Sequence, residues 1–192
     1  MSKRVHVIIN PAAGQNRPVL GILNSVFHPA GIDWDVSITH KAGDARRYAQ
    51  EAVEASVDIV ATYGGDGTVM EAASGLLGSD VPLAIFPGGT ANVMSVELGI
   101  SNDLAEAGAL ICGDDCEVVA VDMGQTGKGD YFILRVGIGL EAQMVEGADR
   151  NLKNRVGSLA YALSALNALR DPVTSHYQMT IDGEELESTG IT

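Results

Sequence analysis

The sequence predicts an α/β chain: a parallel-sheet domain over residues 1–120, then an incomplete antiparallel β domain over residues 121–192. Three observations carry this prediction. Short runs of β-branched and apolar residues alternate with helix-like segments through the first part, which is the pattern of βαβ units with strands buried on both faces. Glycine-rich corners follow three of the four runs. Past residue 120 the helix-strand alternation gives way to paired strand-like runs around turn signals.

The elements follow in order. "VHVIIN" (5–10) precedes "PVLGILNSVF", "WDVSIT" (34–39) precedes "DARRYAQEAVEA", "VDIVAT" (57–62) precedes "TVMEAASGLL", and "VPLAIF" (81–86) precedes "ANVMSVEL". In the second helix Ala45, Tyr48, Ala49, Ala52 and Val53 recur at helical spacing and form the inner face, with Arg46, Arg47, Gln50 and Glu51 outward. A short helix is predicted near 102–111. "CEVVAVDMG" (116–124) and "DYFILRVGIG" (130–139) read as strands around a "QTGKG" hairpin loop. A helix is predicted over 155–170, with Val156, Leu159, Ala160, Leu163 and Leu166 as its apolar stripe. "HYQMTIDGEELES" reads as two strands around an Asp182-Gly183 turn. The run ending in "GIT" stops in mid-strand, so the β domain is expected to continue beyond residue 192.

Charge and composition narrow the function. A formal net charge of −13 opposes nucleic-acid binding, which depends on Lys and Arg neutralising phosphates. It also opposes general attraction to anionic membranes, although Arg150, Lys153 and Arg155 form a local basic run. That run reads as a solvated surface or as a headgroup-facing patch. Cys112 and Cys116 lack the second pair that a zinc site needs, and read as reduced structural thiols. His6, His28, His40 and His176 are scattered without metal-like spacing. No metal ligand set is therefore assigned. No apolar run reaches the ~18 residues of a membrane span, and a cytoplasmic location is the expectation.

The glycine corners carry the chemistry. In parallel α/β sheets ligands sit beyond the carboxyl ends of the strands. Asn10-Pro11-Ala12-Ala13-Gly14, Gly64-Gly65-Asp66-Gly67-Thr68 and Pro87-Gly88-Gly89-Thr90-Ala91-Asn92 all fall there. Glycine lets a ligand approach the backbone, and a helix N-terminus offers free N–H groups and partial positive charge, which together suit phosphate. Any one corner is also explained as a tight turn; three at one sheet edge argue for a ligand. Asp66 has three readings: a turn aspartate ordering nearby N–H groups, a metal contact, or a proton acceptor. Neither a Walker loop nor a Rossmann fingerprint is present.

Together these corners resemble the diacylglycerol kinase-like lipid kinases of bacteria, within the NAD kinase/diacylglycerol kinase type of fold. "GGDGT" alone is shared with NAD kinases and phosphofructokinases. "INPAAG" is similar to the lipid-kinase N-P-x-x-G signature, "FPGGTANVMSVELGI" to its P-x-G-T-x-N segment, and "GIGLEAQMVEGADRNLKNRVGSLAYALSAL" to its G-x-G-x-(D/E)-A stretch and following helix.

The resemblance implies ATP- and Mg²⁺-dependent phosphorylation of a lipid hydroxyl, diacylglycerol- or sphingoid-like, at the inner membrane surface. It places nucleotide contacts on Thr39, on Gly64, Gly65, Asp66, Gly67, Thr68, Val69 and Met70, and on Gly89, Thr90 and Asn92. Asn10 and Gly14 would shape the same pocket, and Asp66 would be the catalytic base. Val93 stands where many members carry Asp, and Arg135 near where an Asn is common. The late D-G-E and D-D-G-x-L-D elements of the bacterial branch have no match in place, since Asp182-Gly183-Glu184 falls at the first hairpin and reads as a β-turn. Two alternatives stand beside the kinase reading: a non-catalytic adenine-nucleotide-binding module, and NAD kinase-like chemistry on the shared scaffold. Unpaired strand edges in the β domain would invite homodimerisation.

Overall fold

A computed structural model describes residues 2–13, 17–113, 117–133, 136 and 174–191. The predicted 155–170 helix, the Arg150–Arg155 run, Cys116 and Gly14 lie outside those residues. The chain divides into two compact units, Met1–Leu134 and Arg135–Thr192.

The first unit is built on four parallel strands, β1 (Arg4–Ile9), β2 (Asp33–Ile38), β3 (Ile59–Gly64) and β4 (Leu83–Pro87), in the order β2-β1-β3-β4. Helices α1 (Val19–Phe27), α2 (Asp44–Glu54) and α3 (Asp66–Leu76) connect them, and α4 (Val93–Glu97) and α5 (Leu104–Ala109) follow β4. The central strands come from the runs "VHVIIN" and "VDIVAT", which read as two-faced burial, and Val7, Ile8, Val60 and Ala61 are fully buried. Edge strand β2 is mostly exposed, consistent with its interspersed Asp33, Asp35 and Ser37.

Two cores lie on opposite faces of the sheet. On one, Leu23 and Phe27 of α1 and Leu104 and Ala107 of α5 pack over Val5, Val7, Ala61 and Phe86. Phe27 meets Trp34 edge-on, with ring centroids 5.4 Å apart and planes at 81°. Such a contact adds about 0.5–1.5 kcal/mol to the area it buries. On the other face Ala45, Ala49 and Ala52 of α2 and Ala72 and Leu76 of α3 cover Ile8 and Val60. The predicted inner face of α2 is therefore the buried one, with Tyr48 and Val53 packed at its margin. Thr62, in the middle of β3, is fully buried, and its hydroxyl oxygen has no hydrogen-bond partner among the described residues.

The expected strands over 116–124 and 130–139 fall partly outside the described residues. Among the described residues only β5 (Gly124–Gln125) and β6 (Tyr131–Phe132) pair, antiparallel, around the predicted loop. Val118, Val119 and Val121 are β-prone but exposed, and no neighbouring strand pairs with them among the described residues.

In the second unit β7 (Thr174–Ile181) and β8 (Glu184–Ile191) form the expected antiparallel hairpin. Asp182 and Gly183 have φ of 52° and 87°, as a two-residue type I′ turn requires, so the D-G-E triplet is a turn. Met179, Ile181 and Leu186 of this hairpin are exposed.

Among the described residues no helix is long and apolar enough to cross a membrane, and no cluster of three or more His, Cys, Asp or Glu side chains could hold a metal ion. Cys112 is a free thiol whose pKa is raised by burial, the environment of a structural cysteine and not of a reactive one.

Candidate functional site

The chain passes from β1 outward to β2 and returns across β1 to β3, so the sheet's switch point lies between β1 and β3. Helices on either side of that point leave to opposite faces and open a crevice above the strand ends. The register brings the corners level: Ile9 lies opposite both Ile38 and Tyr63, and Gly64 opposite Pro87. Asn10, Thr39, Gly64 and Pro87 thus stand in one row along the carboxyl edge.

Asn10 and Thr68 close the crevice from its two sides. The Asn10 N–H donates to the Tyr63 carbonyl at 2.9 Å, and its side-chain amide donates to the Thr68 hydroxyl oxygen at 3.1 Å. Its Oδ1 accepts the Ala12 N–H at 3.0 Å, an Asx turn that fixes the first corner. Thr68 is buried directly over Gly64, where an added Cβ would fall 2.5 Å from both Thr68 Cβ and Oγ1. Glycine at 64 is therefore what admits the threonine to its place beside Asn10.

The second and third corners touch through glycine. A Cβ on Gly89 would lie 2.5 Å from the Gly65 Cα, and the Gly88 and Gly89 N–H groups both donate to the Gly64 carbonyl, at 2.8 and 3.1 Å. Asn92 then locks the loop by a reciprocal pair: Gly89 N–H to Asn92 Oδ1 at 2.8 Å, and Asn92 Nδ2 to the Gly89 carbonyl at 2.9 Å. Asn92 adopts a left-handed φ of 48°, a conformation Asn tolerates better than most residues.

Asp66 is the first residue of α3, with Gly65 as N-cap. Its Oδ1 accepts the N–H of Met94, in the first turn of α4, at 3.3 Å. That bond replaces the cap Asn92 would otherwise supply. The observation favours the ordering role among the three readings of Asp66, and leaves Oδ2 without a partner among the described residues. The N–H groups of Gly65, Asp66 and Gly67 likewise have none, as expected at a helix start. Gly67 is exposed, and a Cβ there would meet nothing within 4 Å.

The remaining expected residues divide. Thr39 is buried at the end of β2 and donates its N–H to the Ile9 carbonyl, beside Asn10. Thr90 is exposed at the tip of the third corner, and Met70 is half-buried. Val69 turns inward to pack with Ile85 and Met94, and its N–H donates to the Gly65 carbonyl.

Three residues that hold this edge were not singled out from the sequence. Asp44 is almost fully buried; it accepts the N–H groups of His40 and Lys41 at 2.9 and 3.1 Å and pairs with Arg47 at 3.2 Å. The His40 N–H bond, foremost among these, pulls its pKa down to about 2. Its signal was available, an acidic residue directly after a glycine at a helix start. Glu71 and Gly75 make their contacts across more than 25 positions of chain, and no local pattern marks them.

Fold and site together define a doubly wound α/β domain whose glycine corners gather at the switch point. The sequence profile of the diacylglycerol kinase catalytic domain matches residues 4–126, and the chain belongs to that family. It is 31% identical over 188 residues to the diacylglycerol kinase of Bacillus subtilis (strain 168), covering 95% of this chain and 61% of that protein. To the "Probable lipid kinase YegS-like" of Klebsiella pneumoniae (strain 342) it is 34% identical, over 83% of this chain and 54% of that one. A crystal structure of a diacylglycerol kinase from Bacillus anthracis str. Sterne superposes with a TM-score of 0.75 at 33% identity, over 98% of this chain and 62% of the other. The chain thus spans about half to three-fifths of the length of these relatives.

Proposed function

We propose that this chain carries the nucleotide-binding part of an ATP-dependent lipid kinase, which transfers the γ-phosphate of ATP to a hydroxyl of a diacylglycerol- or sphingoid-like lipid. The observation that carries the reading is that the second corner meets the first through Asn10 and Thr68 and the third through Gly65 and Gly89, with the N–H groups of Gly65, Asp66 and Gly67 unpaired among the described residues at the start of α3. Unpaired amides at a helix N-terminus form a ready anion site, and glycine at 67, where a Cβ would meet nothing within 4 Å, leaves the backbone open to a phosphate.

Asn10 and Thr68 hold the two sides of the crevice in register, and Thr39 and Thr90 border it. Because Thr68 Oγ1 already accepts from Asn10, its hydroxyl proton is available to a phosphate oxygen. Asp66 keeps α4 in place through Oδ1, while Oδ2 is available to accept the substrate hydroxyl proton or to contact Mg²⁺. A single carboxylate fits that ion, because Mg²⁺ is commonly held by one or two carboxylates together with the nucleotide phosphates. When bound, Mg-ATP supplies the transferable phosphoryl group and the charge neutralisation that such transfer needs. A lipid substrate places the working protein at a membrane surface, and a cytoplasmic location follows from the use of ATP.

The test is calorimetric titration with Mg-ATP and Mg-ADP beside a radiolabelled phosphate-transfer assay on mixed lipid vesicles. Binding with transfer supports the reading, with Asp66→Asn then losing about 10²–10⁴-fold in rate if Asp66 takes the proton. Binding without transfer favours the nucleotide-binding module, whose specific support is the engagement of Asp66 by Met94. Absence of binding contradicts both, and phosphorylation of NAD in place of lipid would move the chain to the NAD kinase reading.

A further inference from the structure

We propose that Glu71 is a positioning residue that ties the turn bearing Thr39 to the glycine corner, so that the two move as one body. The nucleotide half of this inference rests on the function proposed above; the mechanical half stands on the geometry alone.

The first turn of any helix carries N–H groups without intrahelical partners. At α2 the N-cap is Gly43, which has no side chain to offer. The adjacent carboxylate, Asp44, faces backward to the His40 and Lys41 N–H groups and sideways to Arg47. The Ala45 N–H is met by a residue 26 positions further along the chain: Glu71 Oε2 on α3, at 3.3 Å. A carboxylate there also complements the positive end of the α2 dipole.

The same arrangement occurs once more in the domain. At α4 the N-cap side chain, Asn92, is engaged with Gly89, and the Met94 N–H is met by Asp66, again from α3 and again at 3.3 Å. Ala45 and Met94 occupy the same place in their helices, the second residue after the N-cap. Helix α3 therefore caps both of its neighbours with its own two carboxylates.

An independent feature brings α3 close enough. One turn beyond Glu71 on the same helix face, Gly75 lies against the first turns of α2, where an added Cβ would fall 2.4 Å from the Arg46 carbonyl oxygen and 2.9 Å from the Ala49 Cβ. Glu71 and Gly75 together pin the start of α2 to α3. Asp44 carries the restraint into the turn at His40 and Lys41, directly after Thr39. A displacement of the 64–68 corner along α3 is thus passed to the 39–43 turn through Glu71.

The experiment compares wild type, Glu71→Gln, Glu71→Asp and Glu71→Ala by residue-resolved amide exchange and by Mg-ATP calorimetry on the full chain. Glu71→Ala is expected to speed exchange at Ala45 and also at His40 and Lys41 by about five- to tenfold, the size of a lost helix cap. It should weaken Mg-ATP binding by a similar factor. Glu71→Gln keeps an oxygen acceptor and should restore most of both, whereas Glu71→Asp, one methylene shorter, should not. Faster exchange confined to Ala45, with unchanged exchange at His40 and Lys41 and unchanged nucleotide affinity, would overturn the proposal and leave Glu71 a local cap. Should Glu71→Ala fail to fold, the contrast between Glu71→Asp and Glu71→Gln decides on the same terms. A wild-type chain without nucleotide affinity would contradict the proposed function, and the exchange at His40 and Lys41 would still decide for or against the tie.

Discussion

Gly65 and Gly89 are in backbone contact: a Cβ built on Gly89 would stand 2.5 Å from the Cα of Gly65. The contact is unequal in the reverse direction, because a Cβ on Gly65 would stand 3.4 Å from the Gly89 Cα, at the edge of ordinary packing. The two glycines therefore serve different ends. Gly89→Ala should force the second and third corners apart and cost about 1–3 kcal/mol, the usual range for overpacking. Gly65→Ala should cost less than 1 kcal/mol by the same comparison. Urea denaturation of the two variants checks the order; equal losses would mean that the corners yield more easily than the geometry requires.

Asn10 and Thr68 should be energetically coupled. Removing the Asn10 side chain deletes the 3.1 Å bond to Thr68 and the 3.0 Å bond to the Ala12 N–H. With each such bond contributing about 0.5–1.5 kcal/mol, Asn10→Ala should lose about 1–3 kcal/mol. A double-mutant cycle with Thr68→Val should return a coupling of at least about 0.5 kcal/mol. Additive effects would show that the side chains meet without supporting one another.

Thr62 offers a gain in stability. Its hydroxyl oxygen is buried in β3 without a partner among the described residues, and such a group costs about 1–3 kcal/mol of desolvation. Thr62→Val keeps the shape and removes the polar atom, so the midpoint of denaturation should rise, by the equivalent of about 1 kcal/mol. A fall would mean that the hydroxyl is satisfied in solution.

Acid should destabilise the domain in two stages. Burial pushes the pKa of His6 below its ordinary 6.5, against the opposing pull of Asp35 and Glu51. The unfolded chain therefore takes up the His6 proton first, and stability falls as pH drops below about 6.5. His6→Gln should flatten that part of the profile. Asp44 behaves as a depressed carboxylate: its contribution is complete above its ordinary 3.8 and is lost as pH falls toward about 2. Asp44→Asn should remove the second stage. Profiles unchanged by these substitutions would assign the acid sensitivity to other groups.

The fold was legible because its determinants are local. "VHVIIN" and "VDIVAT" are runs rich in Val and Ile, and each supplies a central strand whose Val7 and Ile8, or Val60 and Ala61, are buried on opposite faces. The Asp182-Gly183 turn was readable from two residues, since type I′ geometry needs positive φ at both. The three corners were legible as glycine clusters, but their mutual contacts were not. That Asp66 caps α4, that Gly75 seats on α2 and that Glu71 reaches Ala45 are consequences of how helices cross, and sequence periodicity does not encode crossing contacts residue by residue. Val118, Val119 and Val121 show the opposite limit: they are β-prone in sequence, yet among the described residues they are exposed and pair with no strand.

Gly67 tests the central claim most directly. It lies exposed in the first turn of α3, an added Cβ would meet nothing within 4 Å, and alanine in a helix is favoured over glycine by about 0.5–1 kcal/mol. The fold thus gives no reason for glycine at this position, whereas a phosphate resting on the Gly65–Gly67 amides does. Calorimetric titration of Gly67→Ala with Mg-ATP, beside its thermal unfolding, should find stability equal to or above wild type and affinity reduced at least tenfold. Wild-type affinity in a stably folded Gly67→Ala would contradict the placement of the nucleotide phosphates on this corner.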